Sequence, residues 1–91
     1  MGKLKYYVIR VDYFVYDETK EDGIGRTPMY LFTSRDKFKV FTFNEERSSE
    51  DFDLKWFLTR EEAQEYIDTR PSFQNSMCFD NVRIEEIDNP I

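Results

Sequence analysis

Hydrophobic residues occupy every second position near the start of the chain: Tyr7, Ile9, Val11, Tyr13 and Val15, with Arg10 and Asp12 between them. That period of two predicts a long strand with one buried face. The alternate face carries Leu4, Tyr6, Val8, Phe14 and Tyr16, so only its middle is wet, and such a strand belongs at the centre of a sheet. Asp17 to Pro28 then reads as a long loop, polar and punctuated by two glycines and a proline. Met29–Thr33 and Phe38–Phe43 predict two further strands, joined by a tight turn over Ser34–Lys37 into an antiparallel hairpin. After a polar, acidic loop from Asn44 to Asp51, the residues Phe52, Leu54, Trp56 and Leu58 alternate with Asp53 and Lys55, which gives a fourth strand.

Thr59-Arg60-Glu61-Glu62 fits a capping box and opens a helix. Ala63, Tyr66 and Ile67 form its narrow apolar stripe, and Pro71 forces it to stop near Arg70. Residues 72–80 read as irregular, and Val82, Ile84 and Ile87 suggest a last short strand with a slip in phase. The expected fold is α+β: an antiparallel sheet of four to five strands with one helix on one face, in the order β-β-β-β-α-β. Residues 1–91 are expected to form a single domain, with no internal repeat or low-complexity tract.

Composition narrows what such a fold can do. A chain of 91 residues buries roughly 60–65% of its unfolded surface, so its core must come from large side chains. Nine Phe, six Tyr and one Trp supply them. Cys78 is the only cysteine, which excludes an internal disulfide and points to a reducing, cytoplasmic setting. The run from Tyr6 to Val11 is broken by Arg10 and is too short and polar for a signal or membrane segment. The N-terminus also lacks the Ser or Thr of a myristoylation signal, and no asparagine starts a glycosylation site.

Charge is uneven: residues 1–44 carry net +2 and residues 45–91 net −8, giving −6 in all. A general nucleic-acid surface needs clustered Lys and Arg, so this balance speaks against one, while permitting a basic protein partner.

Familiar chemistries lack their residues. There is no histidine, so Cys78 and the serines have no imidazole base, and the usual zinc sets are absent. Cys78, between Met77 and Phe79, reads as a buried, inert small hydrophobe. The acidic pairs Glu45/Glu46, Glu50/Asp51, Glu61/Glu62 and Glu85/Glu86 are adjacent residues, which point apart on strands and do not face each other on helices. An EF-hand alignment with Gly23 at its sixth place puts Met29 where a bidentate Glu is required. Gly23-Ile24-Gly25-Arg26 lacks the Lys-Ser/Thr of a P-loop and reads as a turn. No catalytic, cofactor or metal residue is therefore expected.

What is left is binding. One helix with a three-residue stripe cannot cover both faces of a five-stranded sheet, so aromatic side chains should remain on the second face for a protein partner or a second copy. Tyr6, Tyr16, Tyr30 and Phe41 are the candidates, with an exposed edge strand as another route. A second reading uses Glu50, Asp51 and Asp53, together with the acidic helix face of Glu61, Glu65 and Asp68, as a mimic of the DNA phosphate track. Small phage inhibitors of nucleases and restriction enzymes work in that way. A third reading stacks single-stranded nucleic acid on Phe41 and Phe43 beside Lys37 and Lys39. Arg35 to Phe43 is faintly similar to the aromatic strand of an RNA-recognition motif, but lacks its glycines and its element order.

Overall fold

The computed structural model describes residues 4–36 and 40–88. It is α+β: an antiparallel sheet of six strands, curled into a half-barrel, with one helix packed against it. The strands are β1 (Tyr6–Tyr16), β2 (Ile24–Ser34), β3 (Phe41–Asn44), β4 (Phe52–Leu54), β5 (Trp56–Phe57) and β6 (Phe79–Ile87). The helix α1 (Arg60–Asp68) follows β5, and a 3-10 turn (Pro71–Phe73) leads towards β6.

β1 is the central strand, with β2 and β5 along one edge and β6 along the other. β1 and β2 pair from Tyr16↔Ile24 to Arg10↔Tyr30 and then part. The chain of β4 and β5 fills the fork between them. β4 comes in along β2 (Ser34↔Phe52, Phe32↔Leu54), the Lys55 N–H donates to the Leu31 carbonyl at 3.0 Å, and β5 leaves along β1 (Val8↔Trp56, Tyr7↔Phe57). The expected fourth strand is thus two short strands hinged at Lys55, because each half must satisfy the backbone of a different neighbour. On its outer edge β2 pairs with β3 from Thr33↔Phe41 to Tyr30↔Asn44. The start expected for this strand at Phe38, and Lys37 and Lys39 with it, lie outside the described residues.

Two other boundaries move. β2 begins at Ile24, so the loop expected to run to Pro28 spans only Asp17–Gly23. Local hydrogen bonds close it: the Asp17 carboxylate accepts from the Thr19 N–H (3.0 Å) and hydroxyl (2.6 Å), and the Asp22 carboxylate from the Ile24 N–H (3.0 Å). Gly23 supplies the left-handed residue (φ 71°) that turns the chain into β2. β6 runs for nine residues, longer than expected. Its slip in phase is a β-bulge: between Arg10↔Arg83 and Asp12↔Asp80, Val11 alone faces Asn81 and Val82. Asn81 takes the left-handed conformation (φ 54°), which asparagine tolerates better than most residues.

The helix forms as its sequence dictates. Thr59 is extended (φ −132°, ψ 154°), and its hydroxyl accepts from the Glu62 N–H at 3.1 Å. The Glu62 carboxylate reaches back to the Leu58 N–H at 3.3 Å, one residue earlier than the usual box. Ala63 is buried against the sheet and Tyr66 and Ile67 are half-buried. Pro71 ends the helix and opens the 3-10 turn that carries Phe73 into the core.

Alternation along β1 divides the core in two. Ile9 and Val11 join Leu31, Phe57, Phe73 and Phe79 beneath the helix. Val8 joins Phe32, Leu54 and Ile87 on the opposite face, which no helix covers. Val8 and Phe32 are nevertheless fully buried (both 0% exposed), because the half-barrel curls around them and Tyr6, Tyr30 and Phe52 pack over the cluster. The expectation that one helix leaves the second face bare therefore holds only at its rim.

Next to the bulge, the Asp12 carboxylate accepts from the Asn81 amide (2.9 Å) and the Arg83 guanidinium (3.0 Å), which hold it below the usual carboxylate range. Phe32→Ala should cost about 3–5 kcal/mol, read as a lower guanidinium midpoint, and Phe52→Ala at the rim clearly less. Because the folded Asp12 value lies below the unfolded one, its bonds stabilise the protein at pH above the ordinary carboxylate value and are lost as pH falls beneath it. Between about pH 6 and about pH 2, Asp12→Asn should lose less melting temperature than the wild type. Equal losses would remove Asp12 from the acid response.

Candidate interaction surfaces

The open face of the sheet has an apolar end and a charged end. The register places Tyr6, Trp56, Leu54 and Phe52 at the apolar end, with Tyr30 and Ile87 beside them. The Tyr6 and Trp56 rings meet edge to face, with centroids 5.0 Å apart. Trp56 keeps 40% of its surface exposed, and the neighbouring Leu58 keeps 61%. Two depressions open here: one of about 390 Å³ against Phe32, Phe52 and Trp56, the other of about 480 Å³ against Tyr30, Glu86 and Ile87. Arg47 lines both.

Towards the bulge the same face becomes ionic. Arg10 lies over the Tyr30 ring (4.3 Å) and donates to Glu85 at 2.9 Å, while its Nε is buried without a partner. Arg83 bridges to Asp12, and Arg26 makes a two-pronged contact with Asp80 at 3.1–3.2 Å. Each of these pairs crosses between strands, so the charges are spent largely on one another.

The helix-side face carries a third concavity, where the sheet extends past the end of α1. It holds about 550 Å³ and is walled by Tyr13, Phe43 and Phe79, with Phe41, Met29 and the segment Ser72–Cys78 around them. Cys78 is exposed there rather than buried as expected, because it stands in the irregular stretch just before β6. The Phe43 and Phe79 rings sit 4.8 Å apart at 58°, and Phe41 stacks on Phe73 at 5.8 Å. Burial, followed by the neighbouring Cys78 thiol, pushes the Tyr13 phenol above its ordinary value.

The candidate residues fall into separate places. Tyr6 and Tyr30 share the open face. Tyr16 is also on that side by register, but stands 83% exposed at the end of the β1–β2 ladder, where Val15 and Ile24 are exposed with it. Phe41 is not on the open face: it pairs with Thr33, whose side chain lies on the helix side, and it joins the core there. Of the acidic trio, Glu50 and Asp51 are exposed, whereas Asp53 is bound by Arg35 at 2.7 Å and held below its ordinary value by that hydrogen bond. Arg35 also donates to the Glu50 carbonyl (2.8 Å), so the loop is pinned to the sheet by a cation. Phe43, the other proposed stacking residue, lies on the helix side with Phe41.

Trp56, Leu58 and the wall residues Tyr13, Phe79 and Asn75 were missed as site residues. Trp56 was visible as part of an apolar alternation, but nothing in that alternation says which face the helix will cover. The pocket is assembled from strands far apart in sequence and from the segment that read as irregular. Among the described residues no group of three or more Cys, Asp or Glu side chains could hold a metal ion, and no helix is long and apolar enough to cross a membrane. The chain matches no protein-family model, no curated protein and no solved structure.

Proposed function

We propose that this protein is a non-catalytic interaction module that docks another protein chain, a separate partner or a second copy, through the apolar end of its open sheet face. One observation carries the reading: Trp56 and Tyr6 stand at the rim of a buried cluster with no helix above them and Leu58 exposed beside them. Aromatic anchors over a packed base are what concentrate binding energy in protein interfaces. The ion pairs around the patch, Lys5–Asp88, Arg10–Glu85 and Arg35–Asp53, favour a contact driven by apolar burial and shape over one driven by net charge. Strand addition is the weaker route. The long edge strand β6 carries a bulge and the charges Arg83, Glu85 and Glu86, which discourage pairing, and β3 at the other edge has four residues. The single cysteine supports a reducing, cytoplasmic setting for such a module.

Light scattering at micromolar concentration reads self-association, and a tagged pull-down reads a separate partner. Trp56→Arg should weaken the contact by about tenfold or more while the circular dichroism spectrum is kept, and raising salt should change it little. Tyr16→Ser should leave it intact. A complex that survives Trp56→Arg, or no complex in either assay, overturns the reading. A complex lost steeply with salt and with Glu50→Lys and Asp51→Lys would instead favour acidic mimicry.

A further inference from the structure

We infer that the concavity on the helix-side face binds a small, uncharged, flat heteroaromatic molecule. Its volume, about 550 Å³, falls in the range of sites for small organic ligands. Its walls are aromatic: Phe43 and Phe79 are inclined at 58°, and Tyr13 lies nearly parallel to Phe79 (26°, 6.3 Å), so a flat ring can meet both faces and edges. In a chain that is 35% charged, none of the residues lining this cavity is charged, which disfavours an ionic ligand.

The polar groups on its walls are neutral and available. Ser72 and Asn75 line the cavity, and neither the Ser72 hydroxyl nor the Asn75 side-chain amide has a hydrogen-bond partner among the described residues. Thr42 also lines it, but its pairing with Phe32 turns its side chain to the open face. Ser76 is different, because its hydroxyl is engaged with the Cys78 N–H at 3.0 Å and fixes the wall. An amide offers one acceptor and two donors side by side, so Asn75 is complementary to a ring carrying an adjacent donor and acceptor, such as a lactam edge. Burying that edge against a matching amide satisfies both groups, whereas a ring without it would leave Asn75 unpaired.

Quinazolin-4-one, neutral and flat with a lactam edge, is a suitable probe for nitrogen-15 chemical-shift titration of the whole protein. Saturable shifts are expected at the backbone amides of Tyr13, Phe43 and Phe79 and at the Asn75 side-chain amide, with those around Trp56 unmoved. Asn75→Leu keeps the apolar walls and should weaken binding by about tenfold, and the anion quinoline-4-carboxylate should bind at least as weakly as that. Ser76→Trp, which fills the cavity, should abolish the shifts in a protein whose remaining spectrum is native. Absence of saturable shifts in the wild type overturns the proposal, as does their clustering on the open face or unchanged affinity in Asn75→Leu. Trp56→Arg should leave probe binding unaltered, so the pocket and the docking face can fail independently.

Discussion

β1 has to be satisfied on four sides at once. Its backbone needs partners along both edges, and around Val8, Ile9 and Val11 its two faces are both fully buried. An unpaired buried N–H or C=O is costly, so the fork left where β2 departs cannot stay open. The β4–β5 chain closes it, and the hinge at Lys55 is the local consequence. Lys55 itself has its ammonium 5.1 Å from the Phe57 ring and 5.5 Å from the Tyr66 ring, a favourable place for a cation on the helix side.

The same requirement explains why two cores coexist in so small a protein. One α-helix of nine residues, contributing a single fully buried side chain, covers one face in part. The 3-10 turn adds Phe73, and the rings of Phe41, Phe43 and Phe79 gather around it. The other face is buried by curvature: the curl folds Phe32, Leu54 and Ile87 over Val8, and the large rings of Tyr6, Tyr30 and Phe52 finish the cover. Curvature shields the middle of a face better than its rim. Trp56 is therefore left half in and half out, and the proposed docking patch is a by-product of how the second core closes.

Electrostatics follows the strands. The long-range pairs Arg10–Glu85 and Arg83–Asp12 join β1 to its neighbour β6, and Arg26–Asp80 reaches across β1 from β2 to the bulged end of β6. The bulge re-aims Asn81 and Arg83 at one carboxylate, turning an irregularity of pairing into a three-group clamp. The apolar and ionic halves of the open face are thus separated along β1, at the level of Arg10.

Much of the architecture was legible because it rests on local rules. The period of two across β1, the capping residues Thr59 and Glu62, and the stop at Pro71 act within a few residues, and each element appears where they place it. The phase slip between Val82, Ile84 and Ile87 was also readable, as a defect whose meaning needed a partner strand. What the chain could not disclose was relative placement. Phe52, Leu54 and Trp56 alternate equally well over either face, and Phe41 could be assigned to the open side only by guess. The face of a strand is fixed by its register against a neighbour, through contacts between residues distant in sequence. The sequence by itself determined that the strands and the helix exist, in their order, and which residues are core-sized, since propensity and periodicity are local; the start of β2 and the split of the fourth strand were set by pairing. Only the tertiary structure decided which rings were shielded and which were left to form a rim or a pocket, because curvature and the closing of the fork are properties of the assembled sheet.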